Sequence, residues 1–275
     1  MIKLVVSDLD GTLLNSRSQV PQCHIDAITK ALDSGIQVTF FTGRSRHSAK
    51  SVVGHIGLDV PMVFQNGALI THGFSRDIIR ALPLRGDVAR EAYHLAQEKG
   101  IFYVLYTDFF DERDMVMEKP YDGRELMDYF SSSSWRHRYE PVLPHIGESV
   151  AQVALVGDEV TIVEIVDKLK EVFGENAFSP VKTRAEEHES FWELFGCGTG
   201  KEKALEFLMD YFKVSNDEVL FLGDGYNDIG IMKMVKHSVA MGNAPEDVKK
   251  HARYIAPTND QCGVKWAIEN IALKR

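Results

Sequence analysis

Two carboxylates, Asp8 and Asp10, stand where a short and mostly apolar run (residues 2–6) gives way to Gly11-Thr12. Two such charges ~4 Å apart repel by ~4 kcal/mol at an effective dielectric of ~20. A hard divalent cation bound through oxygen ligands offsets that repulsion. The plain alternative is an Asp-Gly turn leaving a strand. A second acidic stretch, Gly223-Asp224-Gly225-Tyr226-Asn227-Asp228, follows the apolar residues 219–222. Its glycines permit a tight turn with close backbone approach, so Asp224, Asn227 and Asp228 can face one point. A turn followed by an Asn/Asp helix cap accounts for one of these polar residues and leaves two acids unexplained.

These residues need a scaffold that collects them. Residues 2–6 read as a buried strand, 21–34 as a helix closed by Gly35, and 36–41 as a second strand. Strand, helix, strand at this spacing is a right-handed βαβ unit with parallel strands. The second strand ends in Thr42-Gly43-Arg44, and a third, 62–64, ends in Gln65-Asn66-Gly67-Ala68. Ligands of open α/β sheets collect at the carboxyl ends of strands, which brings Asp8, Asp10, Thr42 and Asn66 to one edge. For Thr42 the competing role is the N-cap of the next helix. Lys201 opens a helix after the glycine-rich residues 196–200. The spacing argues against a phosphate-binding P-loop there, because Phe195 replaces its first glycine and Glu202 its Ser/Thr. A solvated surface lysine is the alternative. The last βα alternations, from 239 to the helix starting at Gly263, close the same sheet.

Between these flanks, residues 84–186 alternate strands and helices without acidic or glycine-rich strand ends. They read as an inserted α+β domain, leaving 1–83 and 187–275 as the core, with residues 191–194 a strand of the resumed core. Tyr103, Tyr106, Phe109 and Phe110 read as core of the insert, and Arg136-His137-Arg138 as a solvated basic turn rather than an anion site. A net charge of −9 and a pI near 5.6 argue against nucleic acid or an anionic membrane as partner. They leave room for an anionic substrate wherever a bound cation reverses the local sign. Cys23, Cys197 and Cys262 are odd in number and far apart, which argues against a disulfide framework or a zinc site and for a reducing compartment. The sequence has no apolar leader and no run of ~20 apolar residues, so a cytoplasmic location is expected. No pair of histidines has metal-ligand spacing.

Four strand ends or loops therefore deliver Asp8 with Asp10, Thr42, Lys201, and Asp224 with Asp228, in that order. With these motifs the chain resembles the haloacid dehalogenase-like hydrolase superfamily over nearly its whole length. The resemblance is to the Cof-type members, which carry a large cap between their second and third motifs. Asp8–Thr12 matches the first motif, Thr42-Gly43-Arg44 the second, Lys201 the third and Gly223–Asp228 the fourth. Residues 66–68, 241–244 and 259–264 are similar to other Cof-type stretches. Glu202 departs from the pattern, which has glycine after the lysine.

The resemblance implies a Rossmann-like parallel α/β core with an inserted α+β cap acting as a lid. It implies a Mg2+-dependent phosphatase for small phosphate esters such as sugar phosphates. Asp8 is then the nucleophile and Asp10 the general acid/base. The ion is held by the Asp8 carboxylate, the Asp10 main-chain carbonyl and Asp224, with Asp228 orienting a metal-bound water. Thr42, the Gly43 amide, Lys201 and Asn227 bind the phosphoryl oxygens. A phosphomutase or phosphotransferase using the same intermediate, and a non-catalytic phosphometabolite-binding protein, are the alternatives. Oligomeric state is left open by the sequence.

Overall fold

The structure, a computed structural model, describes residues 1–274. It divides into two compact units, residues 1–80 with 201 onward, and residues 81–200. The chain enters on β1 (Leu4–Asp8), buried along its whole length, as a parallel strand covered on both faces must be. Helix α1 (Gln22–Asp33) buries Ala27, Ile28 and Ala31, and the chain leaves it through Gly35 at φ +78, a left-handed exit that glycine takes without strain. Strand β2 (Gln37–Phe41) precedes α2 (Arg46–Val53), whose N-cap is Ser45, with Oγ accepting from the Ser48 N–H. Strands β3 (Pro61–Phe64) and β4 (Leu69–His72) form an antiparallel hairpin. Its tight turn holds Gln65 and Asn66 at φ 48 and 54. Strand β5 (Ile78–Ala81) then lies at the sheet edge.

The second unit contains β6 (Leu84–Arg85), α3 (Gly86–Lys99), β7 (Phe102–Tyr106), β8 (Met115–Met117), α4 (Met127–Ser132) and β9 (His137–Tyr139). It continues with β10 (Ser149–Val150), β11 (Gln152–Gly157), α5 (Glu159–Phe173), β12 (Phe178–Ala185) and β13 (Ser190–Gly196). Its main sheet runs β12-β13-β11-β7-β8-β9, antiparallel except for the β8–β9 pair. Val88, Ala92 and Ala96 of α3 and Ile162, Ile165 and Leu169 of α5 pack on Tyr103, Leu105, Val153, Leu155 and Leu194 in one apolar core.

The first unit resumes with α6 (Lys201–Phe212), β14 (Val219–Gly223), α7 (Ile229–Met234), β15 (His237–Ala240), α8 (Glu246–Lys249), β16 (Tyr254–Ile255) and α9 (Gly263–Ala267). Its sheet is ordered β16-β15-β14-β1-β2-β3-β4-β5. The pairings from β16 across to β3 are parallel. Strands β1 and β14, neighbours at the centre, carry the two acidic strand ends. The fold is thus an α/β core with a parallel sheet and a separate, mostly antiparallel inserted sheet. Among the described residues no helix is long and apolar enough to cross a membrane.

Three sequence expectations are corrected. The strand expected at 191–194 in the resumed core is β13, hydrogen-bonded to β11 and β12 of the insert, so the return falls at 200 rather than 186. Gly196 belongs at this crossing, because a Cβ there would collide with the carbonyls of Leu82 and Pro83. The 136–138 segment is not a solvated turn. Arg136 and His137 are buried, and Arg136 donates to both carboxylate oxygens of the equally buried Asp114, at 2.8 and 2.7 Å. Cys23 and Cys262 are joined in a disulfide, leaving Cys197 free and exposed. That pairing removes the cysteine-based ground for expecting a reducing compartment.

Candidate active site

The turn after β1, Leu9–Leu13, passes through Gly11 at φ +71. A side chain at Gly11 would be strained there, and its Cβ would strike the Asp224 carboxylate. The glycine therefore leaves a cradle in which Asp224, at the end of β14, meets the first acidic turn. Thr12 Oγ1 donates to Asp224 Oδ1 at 2.8 Å. Asn243 Nδ2 donates to the Gly11 carbonyl at 2.8 Å and lies 3.5 Å from Asp224 Oδ2. Asn259 supports Asn243 in turn, its N–H donating to Asn243 Oδ1 at 3.0 Å and its Nδ2 to the Leu14 carbonyl at 2.8 Å.

Lys201, the first residue of α6, turns inward rather than into solvent. Its Nζ lies 2.6 Å from Asp8 Oδ1 and 2.7 Å from Asp228 Oδ1, and all three side chains are at least nine-tenths buried. Asp228 Oδ2 accepts the N–H groups of Asp224 and Gly225 at 3.1 and 3.0 Å. Carboxylate oxygens of Asp8, Asp224 and Asp228 all fall within 4.8 Å of one another. Burial pushes the Asp8 carboxyl well above the usual range; the Lys201 charge opposes that shift and the Asp228 charge adds to it. Burial likewise raises Asp224 to about 6, against the Thr12 hydrogen bond. Burial by itself would lower the Lys201 ammonium, but Asp228 and Asp8 outweigh it and hold the pKa above its ordinary value. All-oxygen donors, a surplus of negative charge and the space left at Gly11 fit a hard divalent cation.

The other expected residues divide. Thr42 is buried, and its Oγ1 accepts the Arg44 N–H at 3.0 Å. The helix-cap role belongs to Ser45 instead. A Cβ on Gly43 would approach Asn66 Oδ1 to 3.3 Å, a tight contact that puts residue 43 beside the Asn66 amide. Asn227 is exposed on its turn, with Oδ1 close over Gly225. Asp10 contributes no carboxylate to the acid cluster. Its side chain is half exposed and receives both Nε and Nη2 of Arg44, at 2.8 and 2.6 Å. Arg44, Asn243 and Asn259 were not assigned from the sequence as site residues. The signal for Arg44 was present, since a cation at one strand end faces acids at the next. Glu202, the departure after Lys201, packs over Gly230, the second residue of α7, where a side chain would collide with its carboxylate.

The gathered acids thus lie at the carboxyl edge of the parallel sheet of an α/β core. Residues 5–268 match the family model described as haloacid dehalogenase-like hydrolase, and the chain belongs to that family. Among curated relatives, a Bacillus subtilis protein, 5-amino-6-(5-phospho-D-ribitylamino)uracil phosphatase YwtE, is 25% identical over 98% of both chains. Pyridoxal phosphate phosphatase YbhA of Escherichia coli is 25% identical over 94% of both. A solved haloacid dehalogenase-like hydrolase from Bacteroides thetaiotaomicron superposes with a TM-score of 0.81 at 28% identity, covering 98% of this chain and all of that one. The protein is a phosphatase of this superfamily.

Proposed function

We propose that the protein is a Mg2+-dependent phosphomonoesterase for small phosphorylated metabolites such as sugar phosphates, working through an aspartyl-phosphate on Asp8. The observation that carries this reading is Asp8 itself, a buried carboxylate pinned by Lys201 beside Asp224. The two relatives named above act on a ribitylaminouracil phosphate and on pyridoxal phosphate. Both are small monoesters, which supports the substrate class and no single member of it.

In the first half-reaction an Asp8 oxygen attacks phosphorus. The bond to the ester oxygen breaks, and that oxygen takes a proton from the Asp10 carboxyl. In the second, Asp10 takes a proton from a water that attacks the same phosphorus. The Asp8–phosphorus bond then breaks, releasing inorganic phosphate and regenerating both acids. Lys201, the Gly43 amide, Thr42 and Asn227 take the non-bridging oxygens, where charge gathers in the transition state. The Asp8 and Asp224 carboxylates and the Asp10 carbonyl, with Asp228 behind them, would hold Mg2+, which would supply positive charge at the phosphoryl group. Lys201 also opposes the rise that burial imposes on the Asp8 carboxyl, and so favours the ionised nucleophile.

The test is release of inorganic phosphate from a panel of phosphorylated metabolites, with Mg2+ or with chelator, by the wild type and by Asp8→Asn. The expected result is metal-dependent release by the wild type alone. Equal release by Asp8→Asn, or wild-type activity indifferent to chelation, contradicts the proposal.

A further inference from the structure

We infer that Arg44 is a positioning residue that holds Asp10 in the orientation needed for proton transfer to the leaving group. The inference rests on the reading of Asp10 as acid/base, and it assigns a task to a residue that reading leaves idle. Two observations carry it. The guanidinium meets Asp10 as a two-point fork, Nε to Oδ2 at 2.8 Å and Nη2 to Oδ1 at 2.6 Å, which fixes the plane of the carboxyl as well as its position. The fork is itself anchored at its base. The Arg44 N–H donates to Thr42 Oγ1 at 3.0 Å, and Nη1 lies 3.4 Å from Ser48 Oγ in the first turn of α2.

Exposure decides between a structural and a functional role. The Asp10 side chain is 53% exposed and that of Arg44 27%, and ion pairs open to water add little stability. A half-exposed aspartate with nothing to hold it samples several rotamers. General acids contribute ~10²–10⁴-fold only when in place, and displacement by about 1 Å can cost ~10²-fold. The two acids of the first turn are thus held by different cations, Asp8 by Lys201 and Asp10 by Arg44. Such a division keeps the nucleophile and the proton donor from sharing one partner.

The experiment compares an alkyl phosphate, whose alkoxide must be protonated as it leaves, with 4-nitrophenyl phosphate, whose phenolate leaves unaided. In Arg44→Met, kcat/KM for the alkyl ester is expected to fall ~10–100-fold, while kcat/KM for the nitrophenyl ester stays within about 3-fold. Because Asp10 also activates water, the variant should release nitrophenolate in a burst equal to the enzyme present and then turn over slowly. Arg44→Lys, a point charge without the fork, should fall between wild type and Arg44→Met on the alkyl ester. Equal losses on both esters, or no loss on either, would overturn the inference while leaving the phosphatase reading intact. A wild type inactive on both esters with Mg2+ would overturn the phosphatase reading and the inference together.

Discussion

Lys201→Met is the perturbation whose size the structure predicts best. In the wild type one ammonium lies 2.6 Å from Asp8 and 2.7 Å from Asp228, out of contact with water. Methionine keeps most of the side-chain volume and removes the charge, leaving two buried carboxylates with oxygens no more than 4.8 Å apart. At that separation and an effective dielectric of ~20 they repel by ~3.5 kcal/mol. Removing one partner from a buried ion cluster typically costs ~3–5 kcal/mol, so the two routes agree. At ~2–4 °C per kcal/mol for a chain of roughly this size, the melting temperature should drop by about 6–20 °C. The assay is thermal melting followed by circular dichroism at pH 8 in the presence of chelator. Burial raises the folded Asp8 carboxyl and Lys201 opposes that rise, so the folded variant binds more protons than the folded wild type and its deficit grows as pH rises. The deficit should therefore shrink at pH 5. A variant that melts within about 2 °C of wild type at pH 8 would refute the account of the cluster.

Two other perturbations report on the scaffold. Glu193 in β13 is buried, accepting from Gln152 Nε2 at 2.6 Å and Thr183 Oγ1 at 2.5 Å, and burial lifts its carboxyl to about 7. Between its unfolded range near ~4.3 and about 7, the folded chain keeps a proton that the unfolded chain has lost. Stability should thus fall across that window by on the order of 4 kcal/mol and then level off. Urea titrations of Glu193→Gln should show a flatter profile, and one parallel to wild type contradicts the assignment. For Cys23–Cys262, which closes 239 residues of chain, reduction should cost about 2–5 kcal/mol, seen as a lower melting point in dithiothreitol. Thiol titration of denatured, unreduced protein should find only Cys197, and three reactive thiols would show the bond absent.

The gathering of acids at the candidate site was legible in the sequence because its pattern is local. Asp8-Leu9-Asp10-Gly11-Thr12 and Gly223–Asp228 each concentrate acids and glycines within one turn, at the end of an apolar strand, where a parallel sheet must present them. What was not legible depends on partners chosen at long range. Strand β13 resembles any buried strand, and only its pairing with β11 and β12 assigns it to the insert. Arg136 looked solvated among charged and polar neighbours, because its counterion, Asp114, lies 22 residues earlier on the strand side of a different loop. Cys23 and Cys262 gave no spacing signal, since the contact between α1 and the α9 segment that joins them is tertiary. Asn243 and Asn259 stand in stretches similar to Cof-type sequences, but nothing local says what their amides hold. Their service to the Gly11 turn appears only when β15 and the loop after β16 are placed beside it.

The central claim is that Asp8 takes the phosphoryl group. The most direct measurement is acid quench of a single turnover with a radiolabelled phosphate ester and Mg2+, followed by peptide mapping of the label. The account predicts transient label on the peptide containing Asp8 and none in Asp8→Asn. Turnover without any labelled protein, or label on another residue, would contradict it.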